Sequence, residues 1–175
     1  MASPRVELSL SDWAVLGVVA QGPTHGWPVV RALAADGTLG RVWTVGRPVV
    51  YRSLTTLTDA GLIEPTRDAP GVRGPQRTIV RVTRTGRAAL RRWLSTPVAH
   101  VRDVRTELLV KLALLDEANE PHDELVSRQL AALEPVIDAV SGRPIGDGFE
   151  RTLAVWRREQ ALAVQRFLRA LQKSR

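Results

Sequence analysis

The stretch GRPVVYRSLTTLTDAGLI, residues 46–63, holds Arg47, Tyr51, Arg52, Thr55 and Thr56 within ten positions. Guanidinium groups, a phenol and two hydroxyls are hydrogen-bond donors suited to phosphate oxygens and to the edges of bases. Val50, Leu54 and Leu57 are spaced four and three apart, so the spacing predicts a helix with that apolar stripe turned inward. Tyr51, Arg52, Thr55 and Thr56 then lie on the other faces. A DNA major groove of about 12 Å admits one helix, and an arginine there can donate two hydrogen bonds to guanine. Arg52, near the centre of that outer face, is the candidate for this contact. Thr55 and Thr56 suit a thymine methyl or a phosphate, and Arg47, at the helix start, suits the backbone.

The charge distribution points the same way. The net charge is +7 in 175 residues. Residues 1–97 carry 13 arginines, no lysine and six acids, whereas residues 98–175 carry 12 basic and 12 acidic residues and are neutral. Codon bias explains arginine in place of lysine, but it does not explain why only one half is basic. An excess confined to one half is a cue for contact with a polyanion such as nucleic acid.

The elements that would position these residues can be read along the chain. Ser11 or Asp12 is placed to cap a first helix over DWAVLGVVAQ, apolar nearly all round and therefore buried. A second helix is predicted over about 24–35, after Gly22-Pro23. A loop leads through Gly46 to the third helix, with Pro48 in its first turn and Gly61 as its left-handed end. LIEPTR and QRTIVRV read as two strands around DAPGVRGP, a hairpin with a long tip. Thr78, Val80 and Val82 alternate with Arg77, Ile79 and Arg81. This wing carries Arg67 and Arg73 near its tip and Arg77 and Arg81 on its outer face, all placed for phosphates. A fourth helix covers Gly86–Ser95, and Thr96-Pro97 breaks the chain. The rest reads as helices: VRDVRTELLVKLALLDE, a helix to about Ser141 kinked or split by Pro135, and a last helix over Phe149–Gln172. In that last helix Phe149, Leu153, Trp156, Gln160, Ala163, Phe167 and Ala170 keep a four-three spacing that suits helix pairing. The expected fold is mainly α with a small two-stranded β wing. A winged helix-turn-helix spans 1–96 and a helical dimerisation domain spans 97–175, the latter also the place for an effector.

Three motifs carry a family resemblance: GPTHGW (22–27), VVYRSLTTLTDAGLIE (49–64) and GPQRTIVRVTRTGRAAL (74–90). They occur in order, over roughly residues 8–95, and resemble the PadR-like transcriptional regulators; RTELLVKLALL is similar to the start of that family's helical C-terminal domain. The resemblance implies a homodimer that binds double-stranded DNA, represses nearby genes and is released by a small-molecule effector. It implies that Tyr51 is the family's helix tyrosine at the DNA face, and that His25 and Gly26 form the turn that positions the second helix. Arg52 stands where the family often has Pro, Val82 where Leu precedes the family's Thr, and Trp27 where Tyr is common. The family's operator preference is therefore not transferred to this chain.

Other chemistry finds little support in the residues. There are no cysteines and only three histidines, His25, His100 and His122, far apart in sequence, so no metal is expected. Asp116-Glu117 and Asp123-Glu124 lie near helix ends, where acids serve as caps, and no glycine-rich phosphate loop occurs, so neither catalysis nor a cofactor is expected. The longest apolar run, WAVLGVVA, is too short to span a bilayer, and a cytoplasmic protein is expected. Of five tryptophans, Trp13 and Trp43 read as core. Trp93, just before the break, and Trp156 are the candidates to stack on a planar aromatic effector, with core packing as the plainer reading of each. The alternative to DNA reading is a winged-helix protein-interaction module, which gains if Arg52, Arg77 and Arg81 are found paired with acids. A small helical enzyme is a remoter third reading.

Overall fold

The computed structural model describes residues 7–66, 78–142 and 146–173. The chain divides into two compact units, Met1–Trp93 and Leu94–Arg175.

In the first unit, α1 (Leu10–Ala20) is capped by Ser9, and Asp12 returns a bond to the Ser9 N–H at 2.9 Å. The cap thus lies two residues before Ser11, and Asp12 is the far side of a capping box. Ala14, Val15, Leu16 and Val19 are fully buried, as an all-apolar helix requires. α2 (Gly26–Ala32) is shorter than its pattern suggests, because the chain turns at Leu33. The connection to α3 (Arg47–Asp59) is long but closed on itself: the Val45 N–H donates to the Leu33 carbonyl at 2.9 Å, and buried Leu39 donates to Ala32. A Cβ at Gly40 would lie 1.6 Å from the Ala34 carbonyl oxygen, so only glycine allows this turn.

α3 buries Val50, Ser53 and Leu57. Leu54 is only half-buried, which corrects the predicted stripe: the inward row runs through Ser53, and Leu54 sits on its flank. The helix ends in a Schellman motif. Gly61 has φ 66°, its N–H donates to Thr58, and the Leu62 N–H reaches the Leu57 carbonyl at 2.9 Å. β1 (Ile63–Pro65) pairs antiparallel with β2 (Val80–Val82), with Ile63 opposite Val82 and Glu64 opposite Arg81. Thr24, just before α2, pairs with Val80 on the other edge, an addition the alternation of the strands did not announce. The predicted wing tip lies outside the described residues.

Thr83 then ties the wing to the next helix. Its hydroxyl donates to the Gly61 carbonyl at 2.8 Å and accepts from the Gly86 N–H at 2.9 Å, capping α4 (Arg84–Ser95).

The second unit comprises α5 (Val101–Asp103), a π-helical turn (Val104–Leu108), α6 (Leu109–Glu117), α7 (Asp123–Ser141) and α8 (Gly148–Lys173). Its core gathers Leu108, Leu133, Ile137, Ala161 and Leu168. Pro135 does not split α7; Leu133 and Ile137 on either side of it are buried, and their packing carries the helix across. In α8 the predicted four-three row does not face this core as a whole. Phe167 packs against it, whereas Phe149, Trp156, Gln160, Ala163 and Ala170 are exposed.

Two buried polar side chains grip the segment at the start of this unit. The Gln129 amide accepts from the Val98 N–H at 2.7 Å and donates to the Val98 carbonyl at 3.0 Å. Lys111 is fully buried; its Nζ donates to the Thr96 carbonyl at 2.7 Å and pairs with Glu107 at 2.7 Å. Burial pushes the Lys111 ammonium below the usual lysine range, against the pull of Glu107. Between that lowered value and the unfolded value of about 10.4, the unfolded chain holds a proton the folded chain has shed, so stability rises with pH there. Urea unfolding at several alkaline pH values should show this positive slope in the native chain and its loss in Lys111→Met; a slope retained in the variant would mean that another group causes it.

Candidate nucleic-acid interface

The outer face of α3 is built by its inner one. With Val50, Ser53 and Leu57 buried, the helical repeat leaves Arg47, Tyr51, Arg52 and Thr55 exposed. Thr56 is half-buried and so less available than the sequence suggested. Arg52 makes no ion pair or hydrogen bond among the described residues, and its guanidinium stands in solvent. Thr55 donates its hydroxyl back to the Tyr51 carbonyl at 3.2 Å, which leaves its oxygen free to accept.

Tyr51 is held from two sides. The Arg47 guanidinium carbon lies 5.7 Å from the ring centroid, one turn earlier on the helix. On the other side the ring packs on Gly26: a Cβ there would come within 2.6 Å of it. The glycine of GPTHGW and the tyrosine of the third helix thus form one contact between α2 and α3. His25 is the N-cap residue of α2 and makes no capping bond with its side chain. Trp27, which the sequence singled out only as a departure, is 54% exposed beside this contact. An exposed indole next to a cationic helix was not signalled by periodicity, since α2 is too short to show a face.

Between α2, α3 and the wing runs an open groove of about 490 Å³, lined among others by His25, Tyr51, Thr55, Thr58, Asp59 and Thr78. Its lining is mostly hydroxyl and aromatic.

Three of the four predicted wing arginines, Arg67, Arg73 and Arg77, lie outside the described residues. The fourth, Arg81, has its Nε 2.9 Å from Glu64, directly across the strand pair. Cross-strand register puts opposite charges face to face in an exposed pair, so a phosphate would compete with Glu64 for Arg81. Trp93 lies in a ring stack within the first unit. Its ring stacks on Trp13 of α1 at 5.2 Å and 4°, so one face is already covered by the plainer packing role. Trp156 is 61% exposed on α8, the opposite of a core residue. Among the described residues no cluster of His, Asp or Glu could hold a metal ion, and no helix is long and apolar enough to cross a membrane.

Residues 15–92 match the model of the transcriptional regulator PadR-like family. No curated protein matches it. Among solved structures it is similar to Bacillus subtilis PadR in complex with operator DNA, at 19% identity, 97% coverage of this chain, 99% of that chain and a TM-score of 0.47. It is similar to the same protein in complex with p-coumaric acid, at 17% identity, 94% and 97% coverage and a TM-score of 0.45. The Vibrio cholerae virulence activator AphA is similar at 19% identity, 92% coverage of each chain and a TM-score of 0.42. The PadR-like segment contains all of α2, α3 and the strand pair, so it includes every described residue of the interface above.

Proposed function

We propose that this PadR-like protein is a sequence-specific DNA-binding transcriptional regulator, a homodimeric cytoplasmic repressor released from its operator by a small-molecule effector. The observation that carries the reading is the exposed face of α3, where Arg47, Tyr51, Arg52 and Thr55 project from a helix anchored by Val50, Ser53 and Leu57. Residues 1–96 would grip the duplex; residues 97–175 would dimerise and house the effector. The p-coumaric acid bound by the similar Bacillus subtilis protein suggests an aromatic carboxylate as the first effector to try. Trp156 serves this role better than Trp93, whose ring is stacked on Trp13.

Fluorescence anisotropy on labelled duplexes from the region upstream of the protein's own gene tests the reading, with a scrambled duplex as control. Selective binding that weakens steeply with salt is expected. Binding that is absent or indifferent to salt would replace it with the protein-interaction module. That alternative gains one residue from the pairing of Arg81 with Glu64 and nothing from Arg52.

The dimer has its own support. α8 exposes Phe149 at 76%, Trp156 at 61% and Val155 at 42%, an apolar surface that a second copy would cover. Truncation after Asp147 would remove Ala161 and Leu168 from the core and unfold the unit, so point variants are the cleaner test. Phe149→Ser with Trp156→Ser should give a folded monomer by sedimentation and weaken operator binding; a dimer that persists would place the interface elsewhere.

A further inference from the structure

Trp27 differs from the other tryptophans of the first unit. Trp43 donates its indole N–H to the Ser11 hydroxyl at 3.3 Å, and Trp13 and Trp93 stack on each other. Trp27 makes no hydrogen bond or ring contact among the described residues and is 54% exposed. One exposed apolar side chain is ordinary. Here, however, Tyr51 is the only other large apolar side chain exposed among the described residues of this unit, and both belong to one junction of α2 with α3. The Tyr51 ring lies against Gly26, and Trp27 follows one Cα step later, about 3.8 Å away.

α2 turns this residue outward for the same reason that α3 turns Arg52 outward. Val29 is fully buried, so Trp27, Pro28 and Arg31 form the solvent side of α2. Arg31 stands one turn after Trp27, and its guanidinium has no partner among the described residues. Between Asp12 and Asp59 the sequence holds Arg31, Arg41, Arg47 and Arg52 against a single acid, Asp36. Asp36 pairs with none of them among the described residues. An apolar ring with one unused donor thus sits in a stretch of chain rich in cations.

We propose that Trp27 and Arg31 clamp the backbone of the DNA duplex that α3 reads. The indole lies on a deoxyribose face and donates its N–H to an adjoining phosphate, and Arg31 pairs with a phosphate further along the strand. The inference rests on the DNA-binding reading above and adds two residues to it. A major groove of about 12 Å takes α3 alone, so a helix packed beside α3 meets the groove wall, which is sugar and phosphate. Indole matches both parts of that wall. Its ring suits the C–H face of the sugar, its single donor suits a phosphate oxygen, and it has no acceptor for a base's amino group. The surface is also continuous with the α3 face through Gly26 and Tyr51, so an occupant of one lies against the other. Such a contact adds affinity without sequence information, and the ring's share, being apolar, does not depend on counterion release.

The test is fluorescence anisotropy of the full chain on the upstream duplex and on its scrambled control, each across a salt series. Trp27→Ala should weaken both duplexes by the same factor, about tenfold for an aromatic face of this size, with the salt slope unchanged. Arg31→Gln should also weaken both, and it should lower the slope by about 1. Trp27→Phe keeps a ring and loses the donor, so it should recover part of the affinity. Both Trp27 variants should melt with the native chain, because the side chain is mostly exposed. Unchanged duplex binding by Trp27→Ala overturns the proposal and turns the search to a protein partner for this face. A loss confined to the upstream duplex also overturns it, because the ring then reads a base. So does a Trp27→Phe variant as weak as Trp27→Ala, or a loss accompanied by a lowered melting temperature, which would assign the ring to the fold. The two readings fail separately. Equal affinity of the native chain for both duplexes ends the sequence-reading proposal and leaves the Trp27→Ala comparison to decide this one, whereas binding of neither duplex ends both.

Discussion

Gly86→Ala is expected to destabilise the first unit by about 2 kcal/mol, although alanine is the better helix former. Helix propensity alone favours the substitution by about 1 kcal/mol. The added Cβ, however, would lie 2.0 Å from the Leu62 carbonyl oxygen. That carbonyl is held in place by the Thr83 N–H at 3.0 Å and by the Thr83 hydroxyl at 3.1 Å, so backbone must move against backbone. Overpacking of this kind costs about 1–3 kcal/mol and sometimes more, and here it outweighs the propensity gain. Thermal unfolding should shift down by roughly 10 °C. An unchanged or raised Tm would show that α4 can slide away from the wing without penalty. Gly26→Ala is the instructive contrast. Its Cβ meets the Tyr51 ring, the movable end of a side chain, so the fold should survive while Tyr51 is displaced from the α3 face and duplex binding weakens.

Arg52→Ala is expected to lower the discrimination between operator and a single-mismatch duplex by about 1–3 kcal/mol, with no loss of stability. The residue is exposed and makes no bond in the free protein among the described residues, so its removal takes nothing from the fold. A bidentate contact to a base would be lost on the operator only. If affinity falls equally on operator and scrambled DNA, Arg52 touches phosphate, and the reading of sequence belongs to other positions such as Tyr51 or Thr55.

Much of the fold was legible in the sequence because its signals are local. Pro48 near the start of α3, Gly61 in the left-handed conformation at its end and the alternation around Val80 and Val82 each depend on residues within a turn or a strand. The three family motifs were legible for the same reason, and two of them have a physical cause: Gly26 makes room for Tyr51, and Gly86 for the Leu62 carbonyl. Which face of α3 would be outward was also largely fixed by its period, with an error of one position where Ser53 displaced Leu54 inward.

A helical protein with a basic half, a wing and a helix bearing Arg52 outward follows from local signals alone. Composition, spacing and turn residues act over short distances, and each leaves a mark that can be read in one dimension. Which of the described arginines face an acid emerged only on folding. Arg81 looked like its neighbours until strand register set Glu64 opposite it, a pairing across 17 positions. Trp93 was open to two readings, core packing and effector stacking, and the stack on Trp13 of α1 could not be read from its neighbours. The burial of Lys111 over the Thr96 carbonyl and the exposure of Trp156 on α8 are likewise products of which helices pack together. Partners distant in sequence leave no local periodicity, so a side chain's neutralisation, burial or freedom becomes visible only when the chain has closed around it.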